Sequence, residues 1–71
     1  MKINDITQFP FGTVLSLSGN VPDNSVGKFL TADGKHLHKI KGTPSNIWTE
    51  VLIESTYDMQ IGQEVKIMKI V

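Results

Sequence analysis

The chain has 71 residues and a mass of 7.9 kDa, enough for one domain with one core but too little to enclose a deep substrate pocket. Seven lysines balance seven acidic residues, and without cysteine the chain forms neither disulfides nor thiolate metal sites. Arginine is also absent, which weighs against sequence-specific nucleic-acid recognition and leaves weak phosphate contacts through lysine open. The lack of cysteine suits a reducing compartment, and together with the lack of a signal-peptide segment it predicts a cytoplasmic protein.

The first part of the chain alternates apolar and polar residues between turns, and no stretch shows helical periodicity. Residues 3–6 are predicted as a short first strand and residues 13–18 as a second. The segment Phe9-Pro10-Phe11-Gly12 between them is predicted as a turn or bulge, because proline fixes its own backbone angle and restrains the residue before it. Residues 19–25 are rich in turn formers and are predicted as a loop.

Residues 26–32 and 35–41 flank Asp33-Gly34 and form the clearest predicted hairpin. A two-residue Asp-Gly loop is one possible connection between these strands. That register places Lys28 opposite Lys39, and like charges directly opposite each other destabilise a sheet.

A three-residue loop with Gly34 in the left-handed conformation is the alternative connection. It pairs Phe29 with Leu37 and Val26 with Ile40, so apolar residues meet and the lysines are separated. We therefore expect the three-residue loop.

The last part of the chain is predicted as a loop over residues 42–46, a strand over 47–55 and a final strand over 64–71. In the 47–55 strand, Val51 and Ile53 share one face with Ile47 and Thr49, while the opposite face carries Trp48, Glu50, Leu52 and Glu54. Val65 and Ile67 share a face of the final strand. Five or six short, mainly antiparallel strands in one domain spanning residues 1–71 predict an all-β fold, a small β-barrel.

Short segments near both ends of the chain resemble motifs of a known protein family. Asp5-Ile6, then Gly12-Thr13-Val14 and Ser18-Gly19, resemble the opening of the second β-barrel domain of translational GTPases such as elongation factor Tu. The segment 61–67, Ile-Gly-Gln-Glu-Val-Lys-Ile, is similar to that family's Val-Gly-Asp-x-Val-x-Ile segment. The resemblance implies a translation-factor-like barrel, and in that family the barrel packs on the GTPase domain and contacts RNA. No phosphate-binding loop motif is present, so no GTPase activity is expected.

The hairpin that spans residues 28–41, here called the Lys/His hairpin, carries more than half of the lysines. Its basic residues form the first candidate surface: Lys28, Lys35, His36, His38, Lys39 and Lys41. One interpretation is a polarised surface that attracts an anionic partner such as RNA. The other is an edge hairpin on which lysines prevent strand-to-strand aggregation.

His36 and His38 are two residues apart, so on one strand their imidazoles share a face and could in principle ligate one metal. No third ligand follows from the sequence, and neighbouring lysines disfavour a cation. We therefore expect a solvated face and no metal or other cofactor.

Trp48 is the remaining candidate, because it lies on the more polar face of its predicted strand. It is either an exposed stacking or contact residue or a cover for one end of the barrel.

No nucleophile, base or paired carboxylates in a catalytic arrangement can be found, so we predict a protein without enzyme activity. The first expectation is a binding or adaptor module within a larger assembly, with a protein partner, or RNA contacted through the Lys/His hairpin. The alternative is a self-associating structural subunit of a macromolecular assembly, for example of a phage.

Overall fold

The computed structural model describes residues 1–21, 26–43 and 49–68, and six β-strands form within these ranges. In chain order they are β1 (Ile3–Phe9), β2 (Gly12–Leu17), β3 (Phe29–Thr31), β4 (His38–Lys39), β5 (Glu50–Ile53) and β6 (Lys66–Met68). They form two antiparallel sheets, sheet one with the order β1-β2-β5 and sheet two with the order β4-β3-β6. The predicted all-β class is confirmed. No helix of the described residues is long and apolar enough to cross a membrane.

Sheet one begins with a tight hairpin in which Pro10 and Phe11 connect β1 to β2. The turn was predicted from the Phe-Pro-Phe-Gly segment, but β1 continues to Phe9, beyond the predicted residues 3–6. Pairing runs from Phe9 opposite Gly12 to Asp5 opposite Ser16, and a register shift separates Asp5 from Ile3. On the other side of β2, Val14 pairs with Leu52 and Ser16 with Glu50.

Gly12 is the residue on which the hairpin depends. Its φ angle is +153°, a conformation that side-chain-bearing residues rarely adopt. A β-carbon there would overlap the carbonyl oxygen of Ile53 and would lie 3.0 Å from Leu52 Cδ1. Glycine therefore permits the close approach of β2 and β5 at this corner.

Sheet two contains the predicted hairpin in a different register. Phe29 lies opposite Lys39 and Leu30 opposite His38, so both the preferred pairing of Phe29 with Leu37 and its two-residue alternative are wrong. The strands β3 and β4 are also shorter than predicted. The pairing of β3 continues to β6, where Leu30 lies opposite Ile67.

The register differs because Asp33 organises a longer loop than either alternative allowed. Its Oδ1 accepts hydrogen bonds from the backbone N–H groups of Lys35 and His36, both at 2.8 Å. Thr31 Oγ1 accepts a further bond from the N–H of Gly34 at 2.9 Å. These side-chain bonds replace strand pairing up to Leu37. The left-handed conformation expected for Gly34 is confirmed by its φ of +78°.

A β-bulge at Gly27 and Lys28, at the end of the hairpin away from the loop, accompanies this change of register. The N–H of Gly27 donates to the carbonyl of Ile40 at 2.9 Å, while the N–H of Ile40 donates to the carbonyl of Lys28 at 2.8 Å. Two residues thus oppose one, as in a β-bulge.

The inward faces of the two sheets supply one hydrophobic core. The predicted face of β5 is confirmed, because Val51 and Ile53 are fully buried while Glu50 and Leu52 are half-buried on the other side. Val65 is buried and Ile67 packs against the core, as expected. The core residues are Ile3, Leu15, Leu17, Val21, Leu30, Ile40, Val51, Ile53, Met59 and Val65.

Two isolated bridges connect the sheets. Gly42, which follows β4, pairs with Leu52 of β5, and Lys2, which precedes β1, pairs with Glu64 near β6. The parts of the predicted loops and strands at residues 22–25, 44–48 and 69–71 lie outside the described residues, and Trp48 is among them.

Candidate binding site

A groove lies on the outward face of sheet one. Because paired residues share a face, Thr7, Val14 and Leu52 form one transverse row, which Gly42 extends across the bridge to Leu52. The cavity volume is about 380 Å³. We call it the aromatic groove, and its lining residues are Thr7, Phe9, Phe11, Val14, Gly42, Thr43, Glu50 and Leu52.

Two stacked phenylalanines border the aromatic groove at the β1–β2 turn. The ring centroids of Phe9 and Phe11 are 5.0 Å apart and the ring planes differ by 11°. Phe9 is 40% exposed and Phe11 is 61% exposed. Large aromatic side chains usually contribute to the core of a domain this small, so an exposed pair beside an apolar groove suits contact with another molecule.

Two carboxylates lie on the face of sheet one that carries the aromatic groove. Glu50 lines it, and Asp5 lies in the same transverse row of the sheet, with Ser16 between them. Asp5 is exposed and Glu50 is half-buried. An occupant that carries a cation beside an apolar side chain therefore complements this face.

The sequence analysis did not propose any of these lining residues as a binding residue. Phe9 and Phe11 were interpreted only as parts of a turn. One feature of the sequence could have indicated this site, namely the two phenylalanines that flank a proline between two predicted strands. A two-residue turn lies at the end of its hairpin, where aromatic rings have little core to pack against. The other lining residues come together through the pairing of β1 with β2, of β2 with β5 and of Gly42 with Leu52, and no local pattern specifies the last two.

The basic residues of the Lys/His hairpin do not all lie on one exposed surface. Lys35, Lys39 and Lys41 are exposed and Lys28 is half-buried. The two histidines are separated, because His36 lies in the exposed loop and His38 is a buried residue of β4. The expected solvated face is therefore correct for His36 and wrong for His38.

His36 forms an ion pair with Asp33 at the tip of this hairpin. The distance from His36 Nδ1 to Asp33 Oδ2 is 2.6 Å. Hydrogen bonds from the backbone and side chain of His36 hold the pKa of Asp33 well below its usual range, and the N–H of Lys35 adds to the effect. The hydrogen bond and charge of Asp33 in turn raise the pKa of His36. The carboxylate of Asp33 therefore counters the charge of the His36 imidazole when that ring is protonated.

The His36–Asp33 pair predicts a measurable titration. His36 should titrate at a higher pH than a histidine in an unstructured peptide, and Asp33→Asn should return it toward that value. A raised folded pKa contributes stability that is fully present below the unfolded pKa and is lost as pH rises through the folded pKa. Two-dimensional NMR of the imidazole protons measures this. Glu64→Gln is a suitable control, because Glu64 instead bonds the Met1 amino group. Equal midpoints for Asp33→Asn and the unaltered chain would contradict the assignment.

His38 lies between two carboxylates contributed by the end of β5 and the loop that follows. Its Nδ1 is 3.6 Å from Glu54 Oε1 and its Nε2 is 3.4 Å from Asp58 Oδ2, while 9% of the side-chain surface is exposed. Neither ring nitrogen has a hydrogen bond among the described residues. A hydrogen bond from the Thr56 hydroxyl is the main cause that lowers the pKa of Asp58, and the charge of His38 adds to it. The imidazole therefore lies in an acidic environment.

Metal binding is not supported by this arrangement. The two carboxylates approach opposite nitrogens of one ring, so they do not converge on a common ion with His38. Residues 1–21, 26–43 and 49–68 contain no group of three or more His, Cys, Asp or Glu side chains placed to hold a metal.

No protein-family model, curated protein or solved structure matches this chain. The aromatic groove and the charges around it are therefore the observations from which function is inferred.

Proposed function

We propose that the chain is a non-enzymatic binding module that accepts an apolar side chain of a partner protein in the aromatic groove. The observation that carries this proposal is the exposed Phe9–Phe11 stack at the border of the groove. The groove is open to one side and apolar, as protein contact sites are at their centres. A module of this kind works within a larger assembly, in line with the resemblance to a translation-factor barrel.

We also propose that the two sheets form one small barrel. The order in which the segments lie next to each other supports this barrel. The bridge from Gly42 to Leu52 places the chain after β4 beside β5. The bridge from Lys2 to Glu64 places the start of β1 beside the segment that leads into β6. The aromatic groove would then lie on the outside wall of this barrel.

A selection experiment tests the groove. Random seven-residue peptides displayed on phage are selected on the immobilised protein and then measured on the Phe9→Ser/Phe11→Ser double variant. Enriched peptides should share an aliphatic or aromatic residue together with a lysine or arginine, and their affinity should fall by about tenfold or more on the variant, because two stacked rings are lost.

Tyr57→Ser is the matched control, because Tyr57 is an aromatic residue that is 86% exposed and does not line the groove. Peptides that bind the double variant as well as the unaltered protein would overturn the proposal. A circular-dichroism melt of both variants checks that they remain folded.

RNA binding is the second candidate, and one arrangement on sheet two favours it. Lys39, Phe29 and Met68 share one row on the outward face of that sheet, and Lys66 lies in the next row of the same face opposite Thr31. Lysines beside a half-exposed aromatic ring suit a single strand of nucleic acid.

Titration of the ¹⁵N-labelled protein with oligouridine at low salt tests the RNA candidate. Amide shifts at residues 28–31, 38–41 and 66–68 should vanish when salt is raised and when Lys39→Glu is introduced. Lys35→Glu is the control, since Lys35 lies in the hairpin loop. A spectrum unchanged by oligouridine at low salt would remove this candidate.

A further inference from the structure

The β1 strand has a backbone edge without a strand partner among the described residues. On one side β1 pairs with β2 from Asp5 to Phe9. On the other side the backbone bonds reach only Ile3, whose N–H donates to Gln63 and whose carbonyl accepts from Gly62. The register shift between Ile3 and Asp5 ends this contact. No backbone group of residues 1–21, 26–43 and 49–68 therefore pairs with the edge from Asp5 to Phe9.

The direction of the edge groups follows from one hydrogen bond. The N–H of Ile6 donates to the carboxylate of Asp5 at 3.0 Å, so it points away from β2. Because backbone groups alternate along a strand, Ile6 and Gln8 direct their N–H and carbonyl groups outward. Gln8 is fixed by its side chain, which donates to the carbonyl of Thr56 at 2.8 Å and accepts from Thr13 Oγ1 at 2.6 Å.

The Asp5 carboxylate disfavours the pairing of this edge with unrelated strands. It occupies the first outward donor, and charged groups on an edge are a common protection against aggregation. A cation that binds the carboxylate would release the Ile6 N–H. Asp5 thus disfavours pairing with a segment that has no positive charge and allows pairing with a segment that has one.

We propose that this edge binds an extended, cationic segment of a partner protein as an additional antiparallel strand. The proposal rests on the binding function proposed for the aromatic groove, and it names how the partner is held. The segment pairs with Ile6 and Gln8, places an aliphatic side chain next to Phe9 and a lysine or arginine opposite Asp5. Main-chain bonds then give affinity, while Phe9 at the border of the groove and the Asp5 carboxylate select the sequence.

A second copy of the same chain is a poorer occupant. If two β1 strands paired antiparallel about Thr7, each Asp5 would lie opposite a Phe9 of the other copy. Each carboxylate would then lie opposite an aromatic ring with no cation across from it. Charge complementarity therefore favours a different, basic segment.

NMR titration of the ¹⁵N-labelled protein with the peptide acetyl-Gly-Leu-Thr-Val-Thr-Lys-Gly-amide tests the proposal. In the antiparallel register its leucine lies opposite Phe9, its two threonines opposite Gln8 and Ile6, and its lysine opposite Asp5. The amides of Ile6 and Gln8 should shift and become protected from hydrogen exchange. Asp5→Asn should weaken binding by about fivefold or more at low salt, because the charge pair is lost.

Two altered peptides separate strand addition from simple groove binding. N-methylation of either threonine should abolish binding, because those N–H groups face β1, whereas N-methylation of the valine should be tolerated, because that N–H faces away. The peptide with the reversed order Lys-Thr-Val-Thr-Leu should bind about tenfold more weakly, since apolar and charged side chains exchange places.

Each other outcome has a distinct meaning. Shifts at Phe9 and Leu52 that are indifferent to N-methylation and to reversal would overturn strand addition and leave the groove function intact. Equal affinity of phage-selected peptides for the Phe9→Ser/Phe11→Ser variant would instead overturn the groove function itself. Protection of the Ile6 and Gln8 amides that grows with protein concentration in the absence of peptide would overturn the proposal in favour of self-association.

Discussion

Gly12→Ala is expected to leave most of the protein unfolded at room temperature. The alanine would have to adopt a φ of +153°, which costs about 1–3 kcal/mol by itself. Its β-carbon would also overlap the carbonyl oxygen of Ile53, so β2 and β5 would have to move apart. A loss of about 3 kcal/mol or more approaches the whole stability of a domain of this size. Urea denaturation followed by circular dichroism measures the change.

Gly62→Ala is the control for this prediction. Gly62 also has a positive φ, +89°, but an added β-carbon would meet no atom within 4 Å. It should cost about 1 kcal/mol, from backbone strain alone. If both variants lost the same stability, the close approach at Gly12 would not be the cause.

His38→Asp is expected to unfold the protein at neutral pH and to let it refold in acid. A third carboxylate would lie between those of Glu54 and Asp58 on a site with little access to water. Like charges and burial both disfavour ionisation, so the folded form would require protonated carboxyl groups. The folded pKa of the new carboxyl would be raised, and stability would be lost as pH rises through it. Circular dichroism between about pH 3 and pH 8 covers the ordinary range of carboxyl and histidine titration.

His38→Asn is the matched control, because asparagine has the size of aspartate without its charge. It should stay folded across the whole range. Glu54→Gln and Asp58→Asn introduced together into His38→Asp should restore much of the neutral-pH stability. A His38→Asp variant as stable at pH 7 as His38→Asn would show that the two carboxylates do not act on this position.

The faces of the strands follow from the sequence where alternation is regular. Val51 and Ile53 were predicted to share a face, and that face is the buried one, because apolar alternation in a strand has a single way to bury itself. Val65 entered the core for the same reason. The conformation of Gly34 also followed from local chemistry, since an Asp-Gly pair requires a left-handed residue.

The hairpin register did not follow from the sequence, because it was judged from pairs of side chains alone. The carboxylate of Asp33 bonds two N–H groups beyond Gly34 and lengthens the loop, and the bulge opposite Ile40 absorbs the shift. Each of these hydrogen bonds is local in sequence. The register that they produce together nevertheless depends on which face of β3 and β4 is buried. Leu30 of β3 is buried in a core to which sheet one, distant in the chain, also contributes.

The candidate site was the least predictable part. Its walls come from two parts of the chain that are distant in sequence, the β1–β2 hairpin and the stretch formed by the segment after β4 and β5. The sequence prediction instead selected the Lys/His hairpin, where charge density is visible without knowledge of the fold. That density is partly cancelled by Asp33, Glu54 and Asp58, two of which reach the hairpin only through tertiary contact.

The bridge between Lys2 and Glu64 has a kinetic meaning. It joins segments near opposite ends of the chain, and the pairing of β2 with β5 and of β3 with β6 also spans long stretches of sequence. Such contacts require loop closure before they contribute stability, so folding is expected on the millisecond-to-second scale typical of nonlocal β topologies. The β1–β2 hairpin is local and is expected to form early, so that Gly12→Ala should slow refolding as well as weaken the folded state.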